Sequence, residues 1–142
     1  MERLRTADAI LHAGDFIDLP VLDELGTLGP PLYAVHGNVD QPGVVAALPE
    51  RRVVELSGIR IGMVHDAGPA SGRLDRMRRA FDGCDAVVFG HSHIPLHEVS
   101  DDGAFQLFNP GSPTDRRRQP CHTMGEALVD DEAVRFSLID LD

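Results

Sequence analysis

Residues 85–93 read Asp-Ala-Val-Val-Phe-Gly-His-Ser-His, and this stretch decides the fold. Asp85 to Phe89 is a short, mostly apolar run bounded by glycine, the length of a buried strand and too brief for a helix. Gly90 ends it, and His91 and His93 follow on its carboxyl side. In α/β sheets, ligands bind beyond the carboxyl ends of the strands, so two histidines at such an end are candidate ligands.

Working outward, three more apolar runs end the same way. Ala9 to Ala13 runs into Gly14-Asp15, Leu32 to His36 into Gly37-Asn38, and Ile59 to Val64 into His65-Asp66. Arg52 to Leu56 precedes the last of these across Ser57-Gly58, a hairpin signal. A helix is expected from Pro20 to Leu28, with Pro20 at its start and Gly29-Pro30-Pro31 after it. A second is expected from a Ser71 cap to about Ala80, with Leu74, Met77 and Phe81 on one face. The later pattern is strand and turn: Leu96–Val99 and Ala104–Phe108 flank Asp101-Asp102-Gly103, and Glu126–Val129 and Ala133–Ile139 flank Asp130-Asp131-Glu132. Early βαβ units followed by hairpins predict an α/β protein with mixed sheets. The 142 residues fit one domain, 1–142.

Composition narrows the function. Hydrophobic residues make up 42% and charged residues 25%, which argues for a globular core rather than disorder. No apolar run approaches the ~20 residues a membrane helix needs. Residues 1–8 carry both charge signs and no apolar stretch, unlike a secretory signal, and Cys84 and Cys121 form no spaced pair. A cytoplasmic location with reduced thiols is therefore expected. The formal net charge of −10 argues against broad binding to a nucleic-acid backbone.

Each strand-end residue alone has a plain structural explanation: an Asp caps a turn, and a His hydrogen-bonds within the fold. Together, Asp15, Asn38, His65, His91 and His93 offer carboxylate, amide and imidazole donors from four strand ends. That set suits a borderline divalent metal such as manganese, iron, nickel or zinc.

The ordered series Gly14-Asp15, Gly37-Asn38-Val39-Asp40, His65 and Gly90-His91-Ser92-His93 resembles that of calcineurin-like metallophosphoesterases. Asn109-Pro110-Gly111-Ser112 is similar to a further signature of their YfcE-like phosphodiesterase branch. The resemblance covers nearly the whole chain. It implies a four-layer α/β/β/α fold, two mixed sheets sandwiched between helices. It implies that Asp15 bridges two metals, that Asn38, His65 and His91 complete one, and that His93 serves the other. The implied activity is hydrolysis of a small phosphoester by a metal-activated hydroxide attacking phosphorus in line, with Asp15, Asn38 and His65 at the catalytic centre. Manganese is the expected cofactor.

Family members open with a strand ending in Asp-x-His, and no such motif precedes Gly14. The chain therefore reads as a family domain lacking its first strand and following helix, roughly 20–30 residues by the size of a βα unit. A start codon assigned too late gives the same reading. One metal then keeps Asp15, Asn38, His65 and His91, while the other keeps Asp15 and His93, which predicts one firm ion and one weak or empty position. Unpaired strand edges would favour self-association, so a homo-oligomer is an expected partner state.

Further residues have competing roles. Arg73 and the Arg116, Arg117, Arg118 cluster are candidates to grip substrate phosphate, against a solvated basic loop for the cluster. Asp66 orients His65 or serves as a turn residue. Val39 stands where related phosphatases carry a histidine that protonates the leaving group, which points to another acid or to good leaving groups. His12 and His36 are expected as buried supports, Cys84 as a packing residue, Ser112 as loop structure, and His97 and His122 as surface or structural residues. The alternative to an enzyme is a non-catalytic binding or scaffold module, the use the retromer subunit makes of this fold.

Overall fold

In the hairpin at residues 51–64, Ser57 and Gly58 both take positive φ, 51° and 83°. A two-residue turn of that kind twists with its strands and pins their register. Strand β1 (Ile10–His12) and β2 (Leu32–Ala34) precede the hairpin strands β3 (Arg51–Leu56) and β4 (Ile59–Val64). Helix α1 (Arg73–Ala80) and β5 (Ala86–Val88) follow, then β6 (Leu96–Val99), β7 (Gln106–Asn109), β8 (Thr123–Val129) and β9 (Val134–Asp140). This computed structural model describes residues 7–13, 27, 29–36, 48–92, 94–111, 123–130 and 133–140.

The central sheet has five strands in the order β3-β4-β5-β7-β6. β4, β5 and β7 run parallel, while β3 and β6 are antiparallel to their neighbours. The sheet is mixed, as expected, and the carboxyl ends of its three parallel strands emerge on one side. β1 and β2 form a separate parallel pair, and β8 and β9 an antiparallel hairpin.

Alternation along the strands assigns the two faces. On one face Val64, Val87, Phe89, Phe105 and Leu107 pack with Met77 and Phe81 of the α1 segment, and Leu74 and Cys84 lean on the same cluster. Gly62 makes this approach possible, since a Cβ there would stand 2.4 Å from the Phe81 ring. On the other face Ile59, Ile61, Ala86 and Val88 meet Val134, with Leu11, Ala13, Val129 and Phe136 against them. Val54 and Met63 complete this layer with Val35 and Tyr33. Phe108 stacks on Phe136 at 4.5 Å, and Gln106 Nε2 donates to the Val134 carbonyl, so the β8–β9 hairpin is held against the face of the sheet at β7. Burying a side chain such as Met77 is worth about 1.5–3 kcal/mol. The layers are thus helix, five-stranded sheet, and a second β layer made of two pairs. The expected helix at 20–28 lies outside the described residues.

One local expectation is corrected. The N-cap of α1 is Gly72 in the left-handed region, with no side-chain cap, and not Ser71. The first helical bond runs from the Arg76 N–H to the Gly72 carbonyl, one residue past Ser71, whose own carbonyl accepts from Arg76 Nη1. Cys84 is half-buried against the core, and burial pushes its thiol above the ordinary value, with Arg60 opposing and Asp85 and Asp82 adding to the shift. That is the environment of a packing residue, not of a nucleophile.

Candidate metal centre

The site begins where β1, β4 and β5 end. The Gly90 N–H donates to the His65 carbonyl at 2.9 Å, tying the end of β5 to the end of β4. His65 Nδ1 lies 2.7 Å from the Ala13 carbonyl at the end of β1. A carbonyl only accepts, so His65 carries its proton on Nδ1, and in the neutral ring Nε2 holds the electron pair. This is the second-partner arrangement common to metal-binding histidines, in which one ring N–H is anchored and the other nitrogen is aimed.

Nε2 of His65 is aimed at His91. The Nδ1 of His91 lies 3.3 Å away, and the two rings stand edge to face at 5.2 Å and 86°. Two metal–nitrogen bonds of about 2.0–2.1 Å at a tetrahedral angle put their nitrogens roughly 3.3 Å apart, so the pair already has the spacing of two imidazoles on one cation. His65 is buried at 5% exposure and His91 is half-buried, so a cation here would be largely shielded from solvent. The donor set fits a divalent transition metal.

The structure brings His65 and His91 together. Asp15, Asn38, His93, Arg116, Arg117 and Arg118 lie outside the described residues, as do Val39, Ser112 and His122. Among the described residues no group of three His, Cys, Asp or Glu side chains converges.

The loop after His65 is fixed by arginines. Arg76 Nε and Nη2 both donate to the Ala67 carbonyl, Nη2 also to Pro69 and Nη1 to Ser71. Arg73 donates from Nε to the Gly68 carbonyl and lies over the Phe89 ring, 5.0 Å from its centre. Arg73 thereby links this loop to the residue preceding Gly90. Asp66 accepts from the Gly68 N–H at 2.8 Å, so of its two expected roles the structure shows the turn residue.

His12 and His36 are half-buried rather than buried. His97 is exposed, bonds Gln106 through Nε2 and meets Phe108 edge-on, a structural role as expected. A groove of about 430 Å³ runs between α1 and β6, with Arg73, Asp75, Arg78, Glu98 and Asp102 among its lining residues. It includes neither His65 nor His91, and its acidic side chains outnumber its arginines, so it is not the candidate centre.

Two contributors were missed from sequence, the Ala13 carbonyl and the Arg76 clasp. The first is a backbone atom and carries no side-chain signal. The second was masked by its neighbour Arg73, which stood nearer the loop.

Residues 1–132 match the calcineurin-like phosphoesterase superfamily domain, and the chain belongs to that family. A "Probable metallophosphoesterase" from Methanothermobacter thermautotrophicus is 34% identical over 116 residues, covering 80% of this chain and 64% of that relative. The chain thus spans less than two-thirds of that relative's length. The solution structure of Thermotoga maritima protein TM1076 is 31% identical with a TM-score of 0.74, covering 98% of this chain and 84% of that one. Zinc-complexed Vps29 from Entamoeba histolytica shares the fold at 21% identity and a TM-score of 0.76, covering 99% and 87%. The metallophosphoesterase fold expected from the motif series is the fold of the chain. Among the described residues, no helix is long and apolar enough to cross a membrane.

Proposed function

We propose that the chain is a metal-dependent phosphoesterase acting on small phosphodiesters, with Asp15, Asn38, His65, His91 and His93 holding divalent cations, manganese foremost. The observation that carries this reading is the His65–His91 pair, with Nδ1 of His65 anchored on Ala13 and Nε2 facing His91 at 3.3 Å. Family membership supports the reaction class.

A bound divalent cation supplies Lewis acidity, making a water acidic enough to react near neutral pH and offsetting charge on phosphoryl oxygens. The chain's own contribution is to orient the donors. The Ala13 carbonyl fixes the tautomer of His65, and the Gly90–His65 backbone bond sets the distance between the two imidazole-bearing ends. Arg73 is the described candidate to meet a substrate phosphate, since its Nε is engaged with Gly68 while its guanidinium stacks on Phe89 beside the site. A cytoplasmic location is supported by Cys84 as a free, half-buried thiol. The acidic net charge supports a small substrate over nucleic acid.

A manganese-dependent assay with bis(p-nitrophenyl) phosphate tests the proposal. Hydrolysis is expected, falling in Asp15→Ala by at least ~100-fold, the upper end of what losing even an outer partner of a metal costs. Metal binding without hydrolysis would contradict the enzyme and favour a binding module.

A further inference from the structure

The backbone at His91 is an outlier. His91 has φ 70°, while the Ser92 N–H donates back to the Gly90 carbonyl at 2.9 Å. A bond between residues i and i+2 around a positive central φ is the rarer, more strained kind of γ-turn. A histidine pays a steric cost in this region that glycine does not. Such a conformation persists only where its surroundings over-determine it.

What over-determines it is Asn109, a fully buried residue at the end of β7. Its Nδ2 donates to the Gly90 carbonyl at 3.2 Å and to Ser92 Oγ at 3.3 Å, the two ends of the same turn. Its Oδ1 accepts from the Gly111 N–H at 2.9 Å, which fixes the amide so that the donor side faces the turn. Ser92 Oγ in turn accepts from the Ile94 N–H, and Leu96 pairs in register with Asn109, closing the segment onto its clamp. The clamp is itself held, since Thr123 Oγ1 of β8 donates to the Pro110 carbonyl at 2.8 Å.

We propose that Asn109 is a positioning residue for metal binding: by bridging Gly90 and Ser92 it holds His91 in the left-handed turn that directs its ring at His65. This rests on the metal-centre reading above. The Asn109 side chain bonds the Gly90 carbonyl, Ser92 Oγ and the Gly111 N–H, and neither imidazole. It acts through the backbone carbonyl before His91 and the hydroxyl after it. The turn's distinctive chemistry is an amide donor presented to a carbonyl, which a carboxylate cannot supply.

Asn109→Asp keeps the size and the acceptor for Gly111 while deleting the donor. Two readouts are needed: amide hydrogen exchange at Ser92 in metal-free protein, and cobalt(II) binding followed by visible absorption. The expected result is Ser92 exchange ~3–10-fold faster, the weight of one hydrogen bond. The cobalt Kd should rise ~10–100-fold with an altered spectrum, the usual cost of losing an outer partner of a metal ligand. Unchanged Ser92 exchange overturns the clamp, and faster exchange with unchanged cobalt affinity and spectrum overturns the positioning role. If Asn109→Asp does not fold, Ser92→Ala decides: it removes one of the two bonds, and a raised cobalt Kd supports the proposal while an unchanged one overturns it. If the wild-type chain takes up no cobalt, the metal-centre reading has failed, and Ser92 exchange alone judges the clamp.

Discussion

Nδ1 of His91 lies 3.3 Å from Nε2 of His65 although the two residues are 26 positions apart. The contact exists because β4 and β5 are parallel neighbours, in register from Ile61↔Ala86 to Met63↔Val88, so both carboxyl ends emerge together. Ala13, at the end of β1 in the second layer, then anchors the far side of the His65 ring. Three strand ends therefore define the spacing before any cation enters.

Arg76 should govern the loop after His65. Its guanidinium bonds the carbonyls of Ala67, Pro69 and Ser71, a fork that lysine cannot reproduce. Arg76→Lys is expected to cost about 1.5–3 kcal/mol, the range for hydrogen bonds involving a charged group. The urea midpoint measures this, and amide exchange at Gly68 should quicken while exchange in β5 does not.

Gly62→Ala should destabilise the helix face. The new Cβ would lie 2.4 Å from Phe81 Cδ1 and 2.7 Å from Cγ, so the ring and the end of α1 must shift. Overpacking of this kind costs about 1–3 kcal/mol. The urea midpoint should fall. Substituting Phe81→Leu in the same chain should recover part of the loss, because the smaller side chain vacates the contested space.

Acid should weaken the link between α1 and the β6–β7 turn. Arg78, then Ser100 and the Ala104 N–H, hold the Asp102 carboxyl well below its ordinary value of 3.8. A carboxylate depressed in the folded state contributes stability that is complete above its unfolded value. That contribution fades as pH falls below about 3.9 toward the folded value. Asp102→Asn should therefore flatten the pH dependence of the urea midpoint below pH ~4. It should leave the slope near neutrality unchanged. Both side chains are about half exposed, so the effect is small and should shrink in salt.

Much of the frame was legible from local chemistry. Ser57-Gly58 announced its hairpin because two consecutive left-handed residues suit few other structures. The apolar run 85–89 announced a strand by its length and its glycine stop. The convergence of His65 and His91 followed from strand ends in a parallel sheet. What stayed hidden depended on tertiary position. Ser71 looked like a cap by type, but Arg76 draws the Ser71 carbonyl into the loop and the helix starts one residue later. Nothing in Gly-His-Ser marks the histidine for a positive φ, since the cause is an amide 18 residues further on. Asn109 stood out only as part of a motif string, because its partners are remote in sequence. Asp15, Asn38 and His93 lie outside the described residues.

Isothermal titration with manganese of the wild-type chain, His65→Ala and His91→Ala measures most directly whether these two imidazoles share a cation. Saturable binding by the wild-type chain is expected, weakened at least ~100-fold in each variant, beyond the cost of losing an outer partner. Equal affinity in all three chains, or no binding by the wild type, would contradict the shared site.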